Sequence, residues 1–122
     1  MAKATLGRAF ACAGRGILKT IVRERNMKIH CAAAVLAVAL GLALSIDATS
    51  WCAVVICIGA VMAAECANTA MEAVVDLASP EYHELAGLAK DAAAGAVLLL
   101  ACASVAVACF VYLPRICSLA FG

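Results

Sequence analysis

Charge is scarce in this chain. Only 14% of its 122 residues are Asp, Glu, Lys or Arg, and 67% are apolar, whereas a soluble domain carries about a quarter charged and half apolar residues. The few charges cluster in two patches separated by long neutral runs, which is the pattern of a membrane protein. A net charge of +1 creates no overall field for nucleic acid or an acidic partner. Cysteine is present but its meaningful spacings are missing: the eight cysteines form no CxxC pair and no zinc-like Cys/His pattern. Cys31, Cys52, Cys57, Cys102 and Cys109 fall inside apolar stretches, Cys12, Cys66 and Cys117 are isolated, and all eight read as small packing residues rather than a disulfide framework. The first residues do not read as a secretory leader, because charges interrupt them every few positions. There is no GxxxxGK[ST] loop, Gly14-Arg15-Gly16 is too short for a dinucleotide fingerprint, and no HRD or DFG set appears. The familiar soluble nucleotide-binding architectures are thereby excluded.

What is there begins with a basic arm. Seven cations (Lys3, Arg8, Arg15, Lys19, Arg23, Arg25 and Lys28) precede the first long apolar run, and only Lys90 and Arg115 follow it. The positive-inside rule then places the N-terminus in the cytoplasm. Within residues 5–22, Leu6, Phe10, Ala13, Ile17 and Ile21 recur at spacings of three and four. The spacing predicts an amphipathic basic helix lying on an anionic membrane surface.

Three membrane crossings are expected after it, at about 29–46, 51–76 and 92–113. The first has only His30 and Ser45 as polar residues, and Asp47, Thr49 and Ser50 make the following turn before Trp51, an interfacial aromatic. The second apolar run stops at Ala64, too short to cross a bilayer that needs about 20 residues. Its helix therefore continues through Glu65, Asn68, Glu72 and Asp76 to the break at Ser79-Pro80. The third is free of charge from Ala92 to Leu113, with Pro114 and Arg115 closing it. Spans rich in Ala and Gly allow close helix approach, so an oligomer is expected.

The chemistry-bearing stretch is Glu65-Cys-Ala-Asn-Thr-Ala-Met-Glu-Ala-Val-Val-Asp76. On a helix Glu65, Asn68, Thr69, Glu72 and Asp76 fall within roughly a third of the circumference. Ionised carboxylates at a membrane boundary cost several kcal/mol unless paired or metal-bound. Mg²⁺ suits such a stripe, since it takes oxygen ligands and bridges one or two carboxylates to substrate phosphates. Two other readings stand beside this one: a solvated helix end, favoured for Asp76, and a proton or ion pathway. Glu24, between Arg23 and Arg25, and the Lys90-Asp91 pair belong to the same membrane level. A metal, a cation on the phosphates and a positioned base are the parts phosphoryl transfer needs. Residue patterns alone lead to a membrane protein with a metal-competent acidic interface.

Four ordered blocks are more specific. Glu24-Arg-Asn-Met-Lys-Ile-His30, Glu65-x-x-Asn-Thr-Ala-Met-Glu-Ala-Val-Val-Asp76, Ser79-Pro-Glu-Tyr-His-Glu-Leu-Ala86 and Ala89-Lys-Asp-Ala-Ala-Ala-Gly-Ala-Val97 resemble the prokaryotic diacylglycerol kinase/undecaprenol kinase family over nearly the whole chain. The resemblance implies an all-α homotrimer, each protomer with three membrane helices and an N-terminal surface helix, sharing active sites between protomers in the inner membrane. It implies ATP as donor, Mg²⁺ as cofactor and a membrane lipid alcohol as acceptor. By motif, Glu65 matches the catalytic base and Glu24 and Glu72 the Mg²⁺ ligands. Asn68 and Asp76 match supporting polar residues, and Glu81, Tyr82, His83, Lys90 and Asp91 nucleotide contacts. The first, third and fourth blocks look more like the undecaprenol kinase branch, whereas Glu84-Leu-Ala-Gly87 resembles the diacylglycerol branch. Undecaprenol is the expected acceptor and diacylglycerol the alternative. His30 reads as a surface hydrogen-bonding residue rather than a participant. A non-enzymatic conductor using the acidic stripe, or a lipid-binding scaffold, are the competing functions.

Overall fold

The computed structural model describes Lys3 and residues 5–122, and every regular element among the described residues is helical. Four helices follow one another: α1 (Leu6–Arg23), α2 (Arg25–Ala43), α3 (Ala48–Ala78) and α4 (Glu84–Phe121). The last three are each long and apolar enough to cross a membrane. The fold is the expected one, all-α with three such helices and an amphipathic helix before them.

Helix α1 is capped by Thr5, whose hydroxyl oxygen accepts from the Arg8 amide. Its apolar residues stay uncovered: Leu6 and Phe10 are 75% and 71% exposed. Only Thr20 is buried, its hydroxyl turned back onto the Gly16 carbonyl at 2.9 Å. A helix of this length holding an uncovered apolar stripe needs a second surface, and a bilayer boundary supplies one. Glu24 alone separates α1 from α2. Its backbone is extended (φ −94°, ψ 121°), which turns the chain, while its amide still donates to the Thr20 carbonyl.

The turn from α2 to α3 is tighter than the sequence suggested. The Ile46 amide donates to the Gly41 carbonyl and the Ser45 amide to that of Leu42. With Ser45 at φ 50°, this is a Schellman closure in which serine occupies the left-handed position that usually falls to glycine. Gly41 is needed here for a different reason. A Cβ on it would lie 2.7 Å from the Trp51 ring and 3.1 Å from Ile46, so its absence lets the ring seat against α2. Thr49 and Ser50, expected in the turn, are already helical, and Asp47 stands at the N-cap of α3.

Two expectations need correction. The helix carrying the third apolar run begins well before 92: α4 starts at Glu84 with His83 as its N-cap, so the connection shrinks to Ser79–His83 and Lys90-Asp91 lie inside the helix. The helix also does not stop at Pro114, which sits within it. Proline removes a donor and disfavours helix by about 3 kcal/mol in water, but membrane helices keep it where other donors re-satisfy the backbone. Beside the proline, the Arg115 guanidinium donates to the Val111 carbonyl, not to the Phe110 carbonyl that Pro114 frees, and to Asp47 Oδ1 at 2.6 Å.

Packing is concentrated between α3 and α4 and, near the α2–α3 turn, in one apolar cluster of Ile46, Val54, Val111 and Tyr112, flanked by Leu40, Leu44, Trp51 and Ile58. The Tyr112 hydroxyl donates to the Ala37 carbonyl at 2.7 Å, joining α4 to α2. Large side chains such as Leu36, Ile56, Leu99 and Phe110 face outward, as they do when lipid rather than water is the solvent. All eight cysteines are free thiols distributed over the four helices.

Candidate active site at the Glu65 end

Helix α3 carries the acidic stripe away from the Trp51 cluster. At about 1.5 Å per residue, Glu65 lies roughly 26 Å along the axis from Ala48, Glu72 roughly 36 Å and Asp76 roughly 42 Å. A hydrocarbon core is about 30 Å thick. If Ala48 marks one boundary, Glu65 lies just inside the other, with Glu72 and Asp76 at headgroup level beyond it. One helix face therefore grades from a buried carboxylate to exposed ones.

Glu65 is 2% exposed. The remaining buried polar residue, Thr20, is neutral, so Glu65 is the only fully buried ionisable side chain among the described residues besides Tyr112. An unpartnered carboxylate there would cost several kcal/mol. Its partner is His30 of α2, whose Nε2 lies 3.2 Å from Glu65 Oε1. An ionised carboxylate can only accept, so Nε2 carries the proton in that state. Below the pair, toward the headgroups, Asn68 Nδ2 donates to Glu72 Oε1 at 3.4 Å. Asn68 Oδ1 and Thr69 Oγ1 are buried without a hydrogen-bond partner. Buried polar atoms are partnered in the great majority of cases, so two orphans within a turn of a buried carboxylate mark a place built for something polar.

Helix α4 closes the site from the other side. Lys90 Nζ donates to Asp76 Oδ1 at 2.5 Å, and Glu72 lies near enough to act on the same ammonium through space. Lys90 is thereby held along the carboxylate stripe with its charge shared between two acids. Both members of the ion pair are substantially exposed, so its weight lies in placing the cation rather than in stability.

Two cavities meet at this level. One of about 240 Å³ is lined by Asn26, His30, Glu65 and Asn68 with Ala94, Val97 and Leu98 of α4. The other, about 300 Å³ and almost wholly apolar, runs toward the Trp51 cluster past Ala34, Val61, Met62, Val105 and Ala108. His30 and Ala101 line both. A polar chamber holding a carboxylate thus opens beside an apolar one, the pairing of surfaces that an amphiphile with one hydroxyl would fit.

The sequence-derived residues separate into two groups. Glu65, Asn68, Glu72, Asp76 and Lys90 come together on facing sides of α3 and α4. Glu24 stands half-buried at the α1–α2 junction, on the other chain segment that reaches α3. Glu81, Tyr82 and His83 lie in the α3–α4 connection and are exposed, Tyr82 to 92%. His83 has a local task there, its Nδ1 accepting from the Leu85 amide at 3.1 Å as the α4 cap. Asp91 is exposed on α4 beside Lys90. No three His, Cys, Asp or Glu side chains converge as a metal-ligand group among the described residues. The donors along the stripe are nevertheless all hard oxygens, with the orphaned Asn68 Oδ1 among them, and two carboxylates are what Mg²⁺ takes from a protein when phosphates supply the rest. The residues present fit that ion. Sequence reasoning passed over His30, although an ionisable residue inside a span is itself a signal of function. It also passed over Asn26 as a member of the chamber.

The family described as prokaryotic diacylglycerol kinase matches residues 11–112. The chain is 38% identical over 109 residues to the undecaprenol kinase of Bacillus subtilis, covering 89% of each. It is 39% identical over 112 residues to a diacylglycerol kinase of Synechocystis, covering 91% of this chain and 64% of that one. It is 36% identical over 85 residues to the diacylglycerol kinase of Escherichia coli K12, covering 70% of each.

Proposed function

This chain belongs to the prokaryotic diacylglycerol kinase family and is a lipid kinase; from that premise we propose that it transfers the γ-phosphoryl group of ATP to undecaprenol, using Glu65 as the base. The observation that carries this reading is the buried Glu65 carboxylate within a turn of two unpartnered buried oxygens. Glu65 accepts the proton of the lipid hydroxyl, the freed oxygen attacks the γ-phosphorus, and the bond to the β-phosphate oxygen breaks to release ADP. A base so placed contributes about 10² to 10⁴ in rate. Transfer is direct, in line, with no phosphorylated side chain between donor and acceptor.

The headgroup end of the stripe serves the nucleotide. Glu24 and Glu72 would hold Mg²⁺, whose charge offsets that of the phosphates as they approach the carboxylates. Lys90 adds a second positive charge, kept in place by Asp76. Asn68 orients Glu72. Asp91 and the exposed Glu81, Tyr82 and His83 border the nucleotide. Neighbouring protomers of a homotrimer complete each site, and the uncovered stripe of α1 lies on the cytoplasmic leaflet of the inner membrane.

The acceptor is read from the blocks Glu24–His30, Ser79–His83 and Ala89–Val97, which resemble the undecaprenol branch. Relatives bearing both names match at nearly equal identity, and Glu84-Leu-Ala-Gly87 resembles the diacylglycerol branch, so diacylglycerol is the second reading. The test is phosphoryl transfer from γ-labelled ATP with Mg²⁺, by detergent-purified protein offered each lipid in parallel. Faster labelling of undecaprenol supports the assignment, and faster labelling of diacylglycerol replaces it. No label in either lipid from a folded oligomer would return the stripe to an ion-pathway role.

A further inference from the structure

We propose that His30 is a positioning residue for phosphoryl transfer: its Nε2–H grips one oxygen of Glu65 so that the other faces the lipid hydroxyl. This rests on the reading of Glu65 as the base.

A glutamate side chain has three rotatable bonds, and a base that must meet a hydroxyl within hydrogen-bond reach works only when those rotations are fixed. Packing alone does not fix Glu65, because it faces a chamber rather than a filled core. The chamber wall carries two ionisable side chains, Glu65 and His30, and they are bonded to each other. His30 is well placed for the task. It comes from α2, Glu65 comes from α3, and the bond therefore sets the carboxylate against a second helix rather than against its own backbone. The side chain of His30 is 20% exposed, so imidazole and carboxylate are both withdrawn from competing solvent, and hydrogen bonds to charged groups are strong in such places. Next to His30 lies Met27, wholly buried one turn earlier on α2, which anchors that helix segment.

The location also has a consequence for the acceptor. His30 lines both the polar chamber and the apolar cavity, so its ring is the boundary across which a lipid hydroxyl would approach Glu65. Oε1 is taken by the imidazole, leaving Oε2 as the proton acceptor. Orientation of the lipid hydroxyl and orientation of its base then share one side chain.

The experiment compares His30→Leu, His30→Gln and Glu65→Gln with the unaltered protein, measuring kcat and KM for ATP and for lipid in mixed micelles. Leucine removes the donor while keeping bulk, and glutamine restores an N–H at similar reach. The expected result is a fall in kcat of about ten- to a hundredfold for His30→Leu, the size of a lost hydrogen bond to a charged group. KM for ATP stays unchanged, and His30→Gln recovers most of kcat. Equal loss in both His30 variants, or a loss confined to KM for ATP, would overturn the positioning role while leaving Glu65 as base. Turnover retained in Glu65→Gln would remove the base and the positioning role together. A second measurement avoids any folding defect of the Leu variant. Only His30 and His83 are histidines, so ring ¹⁵N spectra of the intact protein, assigned with His83→Gln, resolve both. The expected signature is an Nε2-protonated His30 ring whose Nε2 resonance shifts on Glu65→Gln. An Nε2 resonance indifferent to that substitution overturns the proposal.

Discussion

The two ends of the three-helix bundle are built on opposite principles. Around Trp51 the chain is closed: an apolar cluster, a glycine that admits an indole ring, a tyrosine bonded across helices and a knot in which Arg115, Asp47 and Ser50 hydrogen-bond one another. Around Glu65 the chain is left open, with a buried carboxylate, two orphaned oxygens and a cation strung between acids. The proposed function then assigns stability to the first end and reactivity to the second. A protein this short has one small cluster to hold three long helices, and concentrating it away from the chemistry frees the other end to carry groups that would otherwise unfold it.

The sharpest way to break this contrast is at Glu65. Glu65→Gln keeps the shape and removes the proposed base, so turnover is expected to fall by about 10² or more while the protein's elution on size-exclusion chromatography in detergent is unchanged. Lys90→Met comes next: a lysine that offsets phosphate charge is expected to raise KM for ATP or lower kcat/KM by about tenfold or more, about 1.4 kcal/mol for each factor of ten. A non-enzymatic conductor would tolerate that change.

The opposite end should respond in the opposite currency. Tyr112→Phe loses the bond to the Ala37 carbonyl and is expected to cost about 1 kcal/mol of stability, seen as a lower midpoint of thermal unfolding in detergent, with kcat unchanged. The smallest effect belongs to Asp47. The Ser50 hydroxyl first, then hydrogen bonds from the backbone of Asp47 and Ser50, and last the Arg115 guanidinium, hold its carboxyl below the usual carboxylate range. A group depressed in the folded state stabilises above its unfolded value, about 3.9, and loses that contribution as pH falls through the folded value. Asp47→Asn should therefore narrow the gap to the unaltered protein as pH drops below about 4. An unchanged gap would detach Asp47 from the knot.

Much of this contrast was legible in the sequence, and its limits have physical causes. The acidic stripe could be read from Glu65 to Asp76 because four residues at spacings of three and four share a helix face whatever surrounds them. The three long helices followed from apolar length. Pro114 misled, because proline commonly ends helices in water, whereas α4 runs on through it to Phe121. The start of α4 was missed because Glu84 to Asp91 is polar enough to resemble a loop, whereas it projects past the hydrocarbon as helix. His30 was passed over for a deeper reason: its meaning lies in a partner 35 residues away, and one sequence without structure holds no record of which helix faces which.

The central claim, direct transfer at the Glu65 end, is tested most directly by withholding the lipid. Purified protein mixed with γ-labelled ATP and Mg²⁺ is quenched before and after a lipid alcohol is added. The account predicts no label on the protein at any time and label in the lipid as soon as it is present. A labelled protein isolated before lipid, and discharged when lipid arrives, would contradict it.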